Sequence, residues 1–306
     1  MDDNRADNEN GSANGDRNQQ QEERPEESIC FSGKTILAPM VRTSTLPMRL
    51  LSLRFGADIV YTEELIDYKL IRCQRVVNPV LGTVDYIDDQ AVVVFRTCAE
   101  ERDRLVLQLG TNDPQRALTA ARLVAADVAA IDVNMGCPKS FSIKGGMGSA
   151  LLTQPDKVYD ILRTLVMGTG GKPITAKIRV LPSIEQTLSL VKVIESAGVT
   201  ALAIHGRTQC ERPKDPNRNH YIEAIARTAT IPVIANGGSD EIGVHADIKR
   251  FRQSTGCSSV MIARAAQKNC SIFMARDELL PMDEVIKQYL ELCIDYDNHV
   301  SNTFIH

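Results

Sequence analysis

The chain has 306 residues, of which 43% are hydrophobic and 24% charged, and this composition is typical of a globular protein with one large domain. No run of about 18 apolar residues occurs, which excludes a transmembrane helix, and no signal or transit peptide is recognisable, so we expect a cytoplasmic protein. The formal net charge of −4 arises in residues 1–28, where nine acidic residues face three basic ones, and therefore says little about a nucleic-acid partner.

Residues 1–30 are predicted to be a disordered tail. They are rich in Asp, Glu, Asn, Gln and Gly, and they contain too few apolar side chains to offset the entropy lost on ordering. From Lys34 onward the composition changes, and short apolar segments begin to recur. We therefore place a folded catalytic domain over residues 31–275.

Eight apolar segments in this domain have the composition of buried β-strands. Helical patterns separate most of them, and the one over residues 183–198 has an apolar face and ends at a glycine. Strands alternating with helices predict an α/β fold, and eight such units predict a (β/α)8, or TIM, barrel. A doubly wound open sheet is the alternative, although no Gly-x-Gly-x-x-Gly follows the first strand. The predicted strands lie at residues 34–40, 57–63, 105–110, 128–134, 174–180, 201–207, 232–238 and 259–265.

Two parts of the chain depart from this rhythm. Between the second and third strands, residues 76–82 and 91–97 suggest an inserted loop or hairpin. After residue 275 a new pattern begins, in which residues 283–296 predict a helix with no partner helix after it. We therefore interpret residues 276–306 as the beginning of a helical region.

The loops after the last two barrel strands suggest a phosphate site, because phosphates are frequently bound at this position in such barrels. The first loop contains Asn236, Gly237 and Gly238, and glycine amides can approach a phosphate closely. The second contains Ala263 and Arg264, whose guanidinium is a bidentate donor. Each feature alone could equally be a tight turn or a surface charge, but together they favour phosphate binding.

Three further residues at strand ends are candidates for ligand contacts. Lys177 interrupts an apolar strand, where a lysine is seldom buried without a partner, although it could also face outward. His205 ends the sixth strand, at the rim where barrel active sites lie. Gln108 could donate to and accept from the amide edge of a heterocycle, or it could be a surface side chain.

Cys137 is the candidate reactive residue. It follows the fourth strand, and the glycine-rich segment 144–152 after it suits a mobile loop that closes over a substrate. A cysteine here could be a nucleophile, a general acid or an inert buried thiol. None of the eight cysteines forms a CxxC pair or shows zinc-ligand spacing, so we predict free thiols and no metal site.

Taken together, these motifs closely resemble the tRNA-dihydrouridine synthases over residues 34–300. The most specific match is NMGCPK (134–139) with the glycine-rich segment after it, and YDNH (296–299) is similar to the eukaryotic members that act on position 20 of the D-loop. The other matching motifs are LAPMVR (37–42), EELID (63–67), KIR (177–179), HGR (205–207), IPVIANGG (231–238) and MIARAA (261–266).

The resemblance implies an oxidoreductase that uses FMN, with NADPH as electron donor, to reduce the C5–C6 double bond of uridine in tRNA. Cys137 would be the general acid that protonates C5, while Asn134 and Arg179 would contact the substrate. Residues 276–306 would begin the helical region with which family members bind tRNA. A flavin oxidoreductase for a small substrate and a shortened form without catalytic activity are the alternatives. The residues implied to bind FMN are Pro39, Met40, Val41, Gln108, Lys177, His205, Asn236, Gly237, Gly238, Ala263 and Arg264.

Overall fold

The computed structural model describes residue 1 and residues 28–298, so most of the predicted tail and residues 299–306 lie outside the described residues. Among the helices of the described part, none is both long and apolar enough to cross a membrane. In chain order the elements are β1 (Thr35–Leu37), α1 (Leu46–Arg54), β2 (Ile59–Ile66), α2 (Asp67–Leu70), β3 (Gln74–Asn78), β4 (Thr83–Ile87), β5 (Val93–Cys98), β6 (Leu105–Gly110), α3 (Pro114–Val124), β7 (Ala130–Met135), α4 (Ser140–Lys144), α5 (Pro155–Gly168), β8 (Ile174–Arg179), α6 (Ile184–Ser196), β9 (Ala201–His205), α7 (Asn219–Thr228), β10 (Val233–Asn236), α8 (His245–Thr255), β11 (Ser259–Ile262), α9 (Arg264–Lys268) and α10 (Met282–Asp295).

Eight parallel strands close into a barrel in the order β1, β2, β6, β7, β8, β9, β10 and β11, and β11 pairs back with β1. This confirms the predicted (β/α)8 barrel, and each of the eight predicted segments overlaps one of its strands. Because the strands are parallel, their carboxyl ends all lie on one rim. The polar residues predicted at those ends are therefore brought to the same side of the molecule.

The barrel strands are buried on both faces, because an apolar layer packs against each face. The larger layer lies between the barrel and the surrounding helices, and the smaller one fills the barrel interior. The interior combines the large side chains of Phe31 and Tyr61 with the small side chains of Ala130, Ala201 and Ala203. Since large and small residues fill the barrel together, a ligand can bind only at its rim.

The insertion between β2 and β6 is a three-stranded antiparallel sheet in the order β3, β4, β5. The sequence predicted a loop or hairpin at this point and missed the middle strand, β4. Its buried positions include Asp85, which pairs with Arg96 on β5 at 2.7 Å, so the apolar alternation expected of a strand is interrupted. Tyr86 of β4 stacks on Phe95 and donates a hydrogen bond to Asp127, which anchors the sheet to the barrel.

Helix α10 is the helix predicted over residues 283–296, and it packs against α1 on the outside of the barrel. Arg96 donates hydrogen bonds to the carbonyl oxygens of Tyr296 at 2.6 Å and Asp297 at 3.1 Å, so the inserted sheet holds the end of this helix. A separate helical region that begins here stays a prediction. The buried face of α10 consists of Val285, Tyr289, Leu292 and Cys293.

Candidate active site

A cavity of about 210 Å³ lies at the carboxyl ends of the barrel strands. Met40, Gly237, Gly238 and Arg264 belong to the same rim loops but do not line it. Ala38, Glu64 and Gly136 line the cavity and were not predicted. In residues 28–298 no group of three His, Cys, Asp or Glu side chains is placed to hold a metal ion. The predicted site residues that line the cavity are Pro39, Val41, Gln108, Asn134, Cys137, Lys177, Arg179, His205, Asn236 and Ala263.

Lys177 on β8 is held inside this cavity by Asn236 on β10. Its ammonium donates to Oδ1 of Asn236 at 3.1 Å, and Nδ2 of Asn236 donates to the carbonyl oxygen of Met261 at 2.9 Å. Burial, and after it the repulsion of Arg179, lowers the pKa of Lys177 to about 8. An anionic ligand would stabilise the charged form of this lysine.

Gln108 on β6 has its side-chain amide oriented by a buried carboxyl. Its Nε2 donates to Oδ2 of Asp132 at 2.8 Å, while the hydroxyl of Thr175 donates to Oδ1 at 2.7 Å. Burial raises the pKa of Asp132 to about 6. Because one N–H of the Gln108 amide is used in this way, its oxygen and its second N–H are the groups that can contact a ligand.

The loop that carries Cys137 is shaped by Asn134 at the end of β7. The side-chain oxygen of Asn134 accepts from the backbone N–H of Gly136 at 2.9 Å and of Cys137 at 3.0 Å. The carbonyl oxygen of Cys137 accepts from the backbone N–H and the hydroxyl of Ser149, which ties the glycine-rich segment to this loop. Gly148 has a φ of +58°, and a Cβ there would lie only 2.7 Å from the same carbonyl oxygen. A glycine is therefore required where the two loops meet.

The protonation state of Cys137 helps to distinguish the role of a nucleophile from that of a general acid, which the sequence left open. Burial, and after it the charge of Glu64, raises the pKa of the Cys137 thiol to about 11. The thiol is therefore protonated at neutral pH. A protonated thiol can act as a general acid, whereas a nucleophile would need the thiolate.

Glu64 on β2 is the titratable residue that sequence reasoning missed. Tyr61 points into the barrel. Because side chains alternate between the two faces of a strand, Glu63 would be the next residue to point inward. An irregularity in the pairing with β6 between Tyr61 and Glu64 shifts this alternation by one residue. Glu64 therefore lines the cavity, while the carboxylate of Glu63 accepts from the backbone N–H of Arg42 at 2.8 Å. The sequence signal that could have found it is an acidic pair inside an otherwise apolar strand.

The region predicted for phosphate binding has two arginines and a tight glycine turn. Gly237 has a φ of +109°, and a Cβ there would lie 2.8 Å from Cδ2 of His205. Arg207, which is buried, donates to the carbonyl oxygen of Gly237 at 2.9 Å and so holds the turn. Arg207 and Arg264 lie 3.5 Å and 4.0 Å from the carboxylate of Asp240. Both guanidinium groups therefore lie near the same carboxylate, and their combined positive charge favours an anion at this corner of the rim.

His205 and Arg179 complete the charged side of the cavity. Burial, and after it the charge of Lys177, holds the pKa of His205 well below its ordinary value, so its imidazole is neutral. Arg179 donates to the carbonyl oxygens of Gly136 at 2.9 Å and Thr208 at 2.8 Å, and it thereby braces two rim loops. Neutral imidazole and cationic side chains together favour an anionic ligand that also needs neutral hydrogen-bond partners.

Comparison with known proteins matches this chain to one family. Residues 36–303 match the family model described as dihydrouridine synthase (Dus). The tRNA-dihydrouridine(20) synthase [NAD(P)+] of Schizosaccharomyces pombe is 39% identical over 284 residues, which cover 89% of this chain and 58% of that protein. The enzyme of the same name from Saccharomyces cerevisiae is 36% identical over 294 residues, which cover 90% of this chain and 76% of that protein. The chain thus spans little more than half the length of the Schizosaccharomyces pombe relative.

Solved structures share the fold at low sequence identity. DHODH from Eimeria tenella in complex with ferulenol has a TM-score of 0.55 at 13% identity and covers 91% of this chain and 89% of its own. TcOYE with pHBA has a TM-score of 0.55 at 10% identity and covers 87% and 94%. At these identities the likeness concerns the barrel architecture alone.

Proposed function

Because this chain belongs to the dihydrouridine synthase family, we propose that it reduces the C5–C6 double bond of a uridine in transfer RNA, which gives dihydrouridine. The observation that carries the proposal is the place of Cys137 inside a rim cavity that groups from several barrel strands line, where burial favours the protonated thiol. The relatives from the two yeasts act, by their names, on position 20, and we propose the same position in the D-loop here.

The residues of the rim fit a flavin mononucleotide. Arg264 and the buried Arg207 lie beside the tight turn at Gly237, and two guanidinium groups at one place suit a phosphate. Gln108, Lys177 and His205 offer neutral and charged partners for a ring system with several polar atoms. Bound FMN, reduced by NADPH, would supply the hydride that adds to C6 of the uracil ring. The other residues proposed to hold it are Pro39, Met40, Val41, Asn236, Gly238 and Ala263.

The protein's own side chains account for the proton. Cys137 gives its proton to C5, so that the S–H bond breaks as the C5–H bond forms. Asn134 lies three positions before it, at the end of β7, and would contact the uracil. Arg179, which braces the loops on either side, would contact the substrate with its remaining N–H groups. A general acid of this kind typically contributes about 10²–10⁴-fold to the rate.

Transfer RNA is the proposed partner, and a cytoplasmic place of action fits it. The uridine must leave its stack to reach a cavity at the barrel rim, as bases do for other enzymes that modify them. We propose that residues 276–306 belong to the region that holds the surrounding RNA.

Incubation of the protein with FMN, NADPH and an unmodified tRNA transcript tests the proposal directly. Mass spectrometry of nuclease fragments should show a gain of two hydrogens confined to one D-loop uridine, and Cys137→Ala should lack it. A flavin-loaded protein that oxidises NADPH with small unsaturated substrates but leaves tRNA unchanged would instead be a small-molecule reductase. A protein that cannot be loaded with any flavin would be a form without catalytic activity.

A further inference from the structure

The two carboxyl oxygens of Glu64 have different surroundings. Oε1 accepts from the hydroxyl of Ser142 at 3.3 Å. Oε2 is buried and has no hydrogen-bond partner of ordinary length in residues 28–298. The carboxyl lies beside the thiol of Cys137, and both groups line the same cavity. A buried oxygen without a partner is costly, and the thiol S–H of Cys137 and the side-chain amide of Asn134 are the donors that lie beside this carboxyl.

The charges that face Cys137 oppose one another. Lys177 and Arg179, both on β8, act on the thiol, and positive charges favour the thiolate. The backbone N–H of Lys139 donates toward the sulfur and lowers the pKa of the thiol, and the hydroxyl of Ser142, which can donate either to Glu64 or to the sulfur, acts in the same direction. Glu64 on β2 is the acidic group that acts in the other direction. The cavity therefore holds a cysteine between two cations and one carboxylate.

We propose that Glu64 is a positioning residue that orients the thiol of Cys137 and strengthens its hold on the proton. Its carboxylate accepts the hydrogen bond of the thiol and holds the sulfur in the protonated form, so that Cys137 can give a proton. Without this carboxylate the neighbouring cations would act unopposed, and a larger fraction of Cys137 would be thiolate at any given pH. The role in proton donation rests on the proposed function, but the ionisation of Cys137 is measurable without it.

The rate at which iodoacetamide alkylates Cys137 measures its thiolate fraction. The full chain without flavin is treated at several pH values, and mass spectrometry follows the peptide that contains Cys137. Glu64→Gln keeps the size of the side chain and removes its charge. We expect the pKa of Cys137 to fall by about one unit, which makes alkylation at pH 8 about tenfold faster than in the wild type. Part of the elevation should remain, because burial is its larger cause.

Three matched variants separate the charge from other effects. Glu63→Gln neutralises the adjacent carboxylate, which lines a different cavity, and should alkylate at the wild-type rate. Glu64→Asp keeps the charge and should stay within about threefold of the wild type, or half a pKa unit. Ser142→Ala opens the same contact but removes a group that lowers the pKa of the thiol, so alkylation should not accelerate.

The opposite pattern would overturn the proposal. If Glu64→Gln is alkylated no faster than the wild type, the carboxylate does not control the thiol. If Ser142→Ala accelerates as much as Glu64→Gln, the effect is exposure of the sulfur and not loss of charge. If Glu64→Gln does not fold, Glu64→Asp and Ser142→Ala still test the proposal. Both variants keep a carboxylate at position 64, so faster alkylation of Cys137 in both would contradict a role for its charge.

The pH dependence of dihydrouridine formation gives an independent measurement. A general acid is active below its pKa and loses activity as the pH rises through it. At FMN concentrations that saturate the protein throughout the pH range, Glu64→Gln should therefore move the alkaline loss of activity to lower pH. A wild-type protein that forms no dihydrouridine would refute the proposed function, yet the alkylation result would stand.

Discussion

Replacing Arg264 with Ala tests whether the corner beside Gly237 binds the phosphate of FMN. A hydrogen bond to a charged group contributes about 1.5–3 kcal/mol, which corresponds to a change in affinity of about 12- to 140-fold. The side chain of Arg264 is 37% exposed and lies 4.0 Å from Asp240, so water and this carboxylate screen its charge. We therefore expect the lower part of the range, about 10- to 30-fold weaker binding of FMN.

Titration of the flavin-free protein with FMN and with riboflavin, followed by flavin fluorescence, measures this effect. Riboflavin has the same ring system but no phosphate, so its affinity should be unchanged in Arg264→Ala. Asp240→Asn is the matched control, because it removes a carboxylate near Arg207 and Arg264 and should tighten FMN binding by about two- to fivefold. An equal loss for FMN and riboflavin would refute the reasoning, since Arg264 would then support the ring pocket.

Cys137→Ala should retain FMN and its reduction by NADPH, but tRNA-dependent reoxidation in stopped-flow absorbance should slow by about 10²–10⁴-fold; reoxidation at the wild-type rate would exclude the acid role. Lys177, with a pKa of about 8, is charged below that pH and loses its charge as the pH rises through it, so the affinity for FMN should fall above pH 8. Lys177→Met should bind FMN more weakly and without this fall, and a wild-type affinity that is constant over the same range would contradict the assignment. Arg49 is buried and lies 2.7 Å from its partner Glu101, so Glu101→Ala leaves a buried charge unpaired. Urea unfolding should show a free energy of unfolding lower by about 3–5 kcal/mol. A change below about 1 kcal/mol would show that water replaces the carboxylate.

The barrel could be predicted because each strand is a short apolar segment with a helix pattern after it. The residues at its rim could be predicted for the same reason, since a polar residue at the carboxyl end of an apolar strand lies where that strand leaves the core. Lys177 and His205 were found in this way, as were Gln108 and Asn236, and the structure brings all four to one cavity.

What the sequence did not predict depends on contacts between distant residues. Glu64 lies in the cavity because the pairing of β2 with β6 contains an irregularity that composition does not reveal. The orientation of Gln108 depends on Asp132, which was read simply as part of a buried strand. Strand β4 was missed because one of its buried positions is an aspartate whose partner, Arg96, lies on the next strand. A pairing irregularity in the first case and a specific partner in the other two place a polar group in the interior, whereas periodicity reports only apolar burial.

Closure of the barrel by its first and last strands has a consequence for synthesis on the ribosome. Lys34 and Ser259, which meet where β1 joins β11, are separated by 225 residues. At roughly 5–20 residues each second, β1 emerges about 10–45 s before its partner exists. A sheet that forms during that time is open and has two unpaired edges, one at β1 and one at the strand that emerged last, and an unpaired edge invites association with other chains. Newly made chains are therefore expected to need protection by chaperones until β11 has emerged, and to become resistant to proteases in one late step.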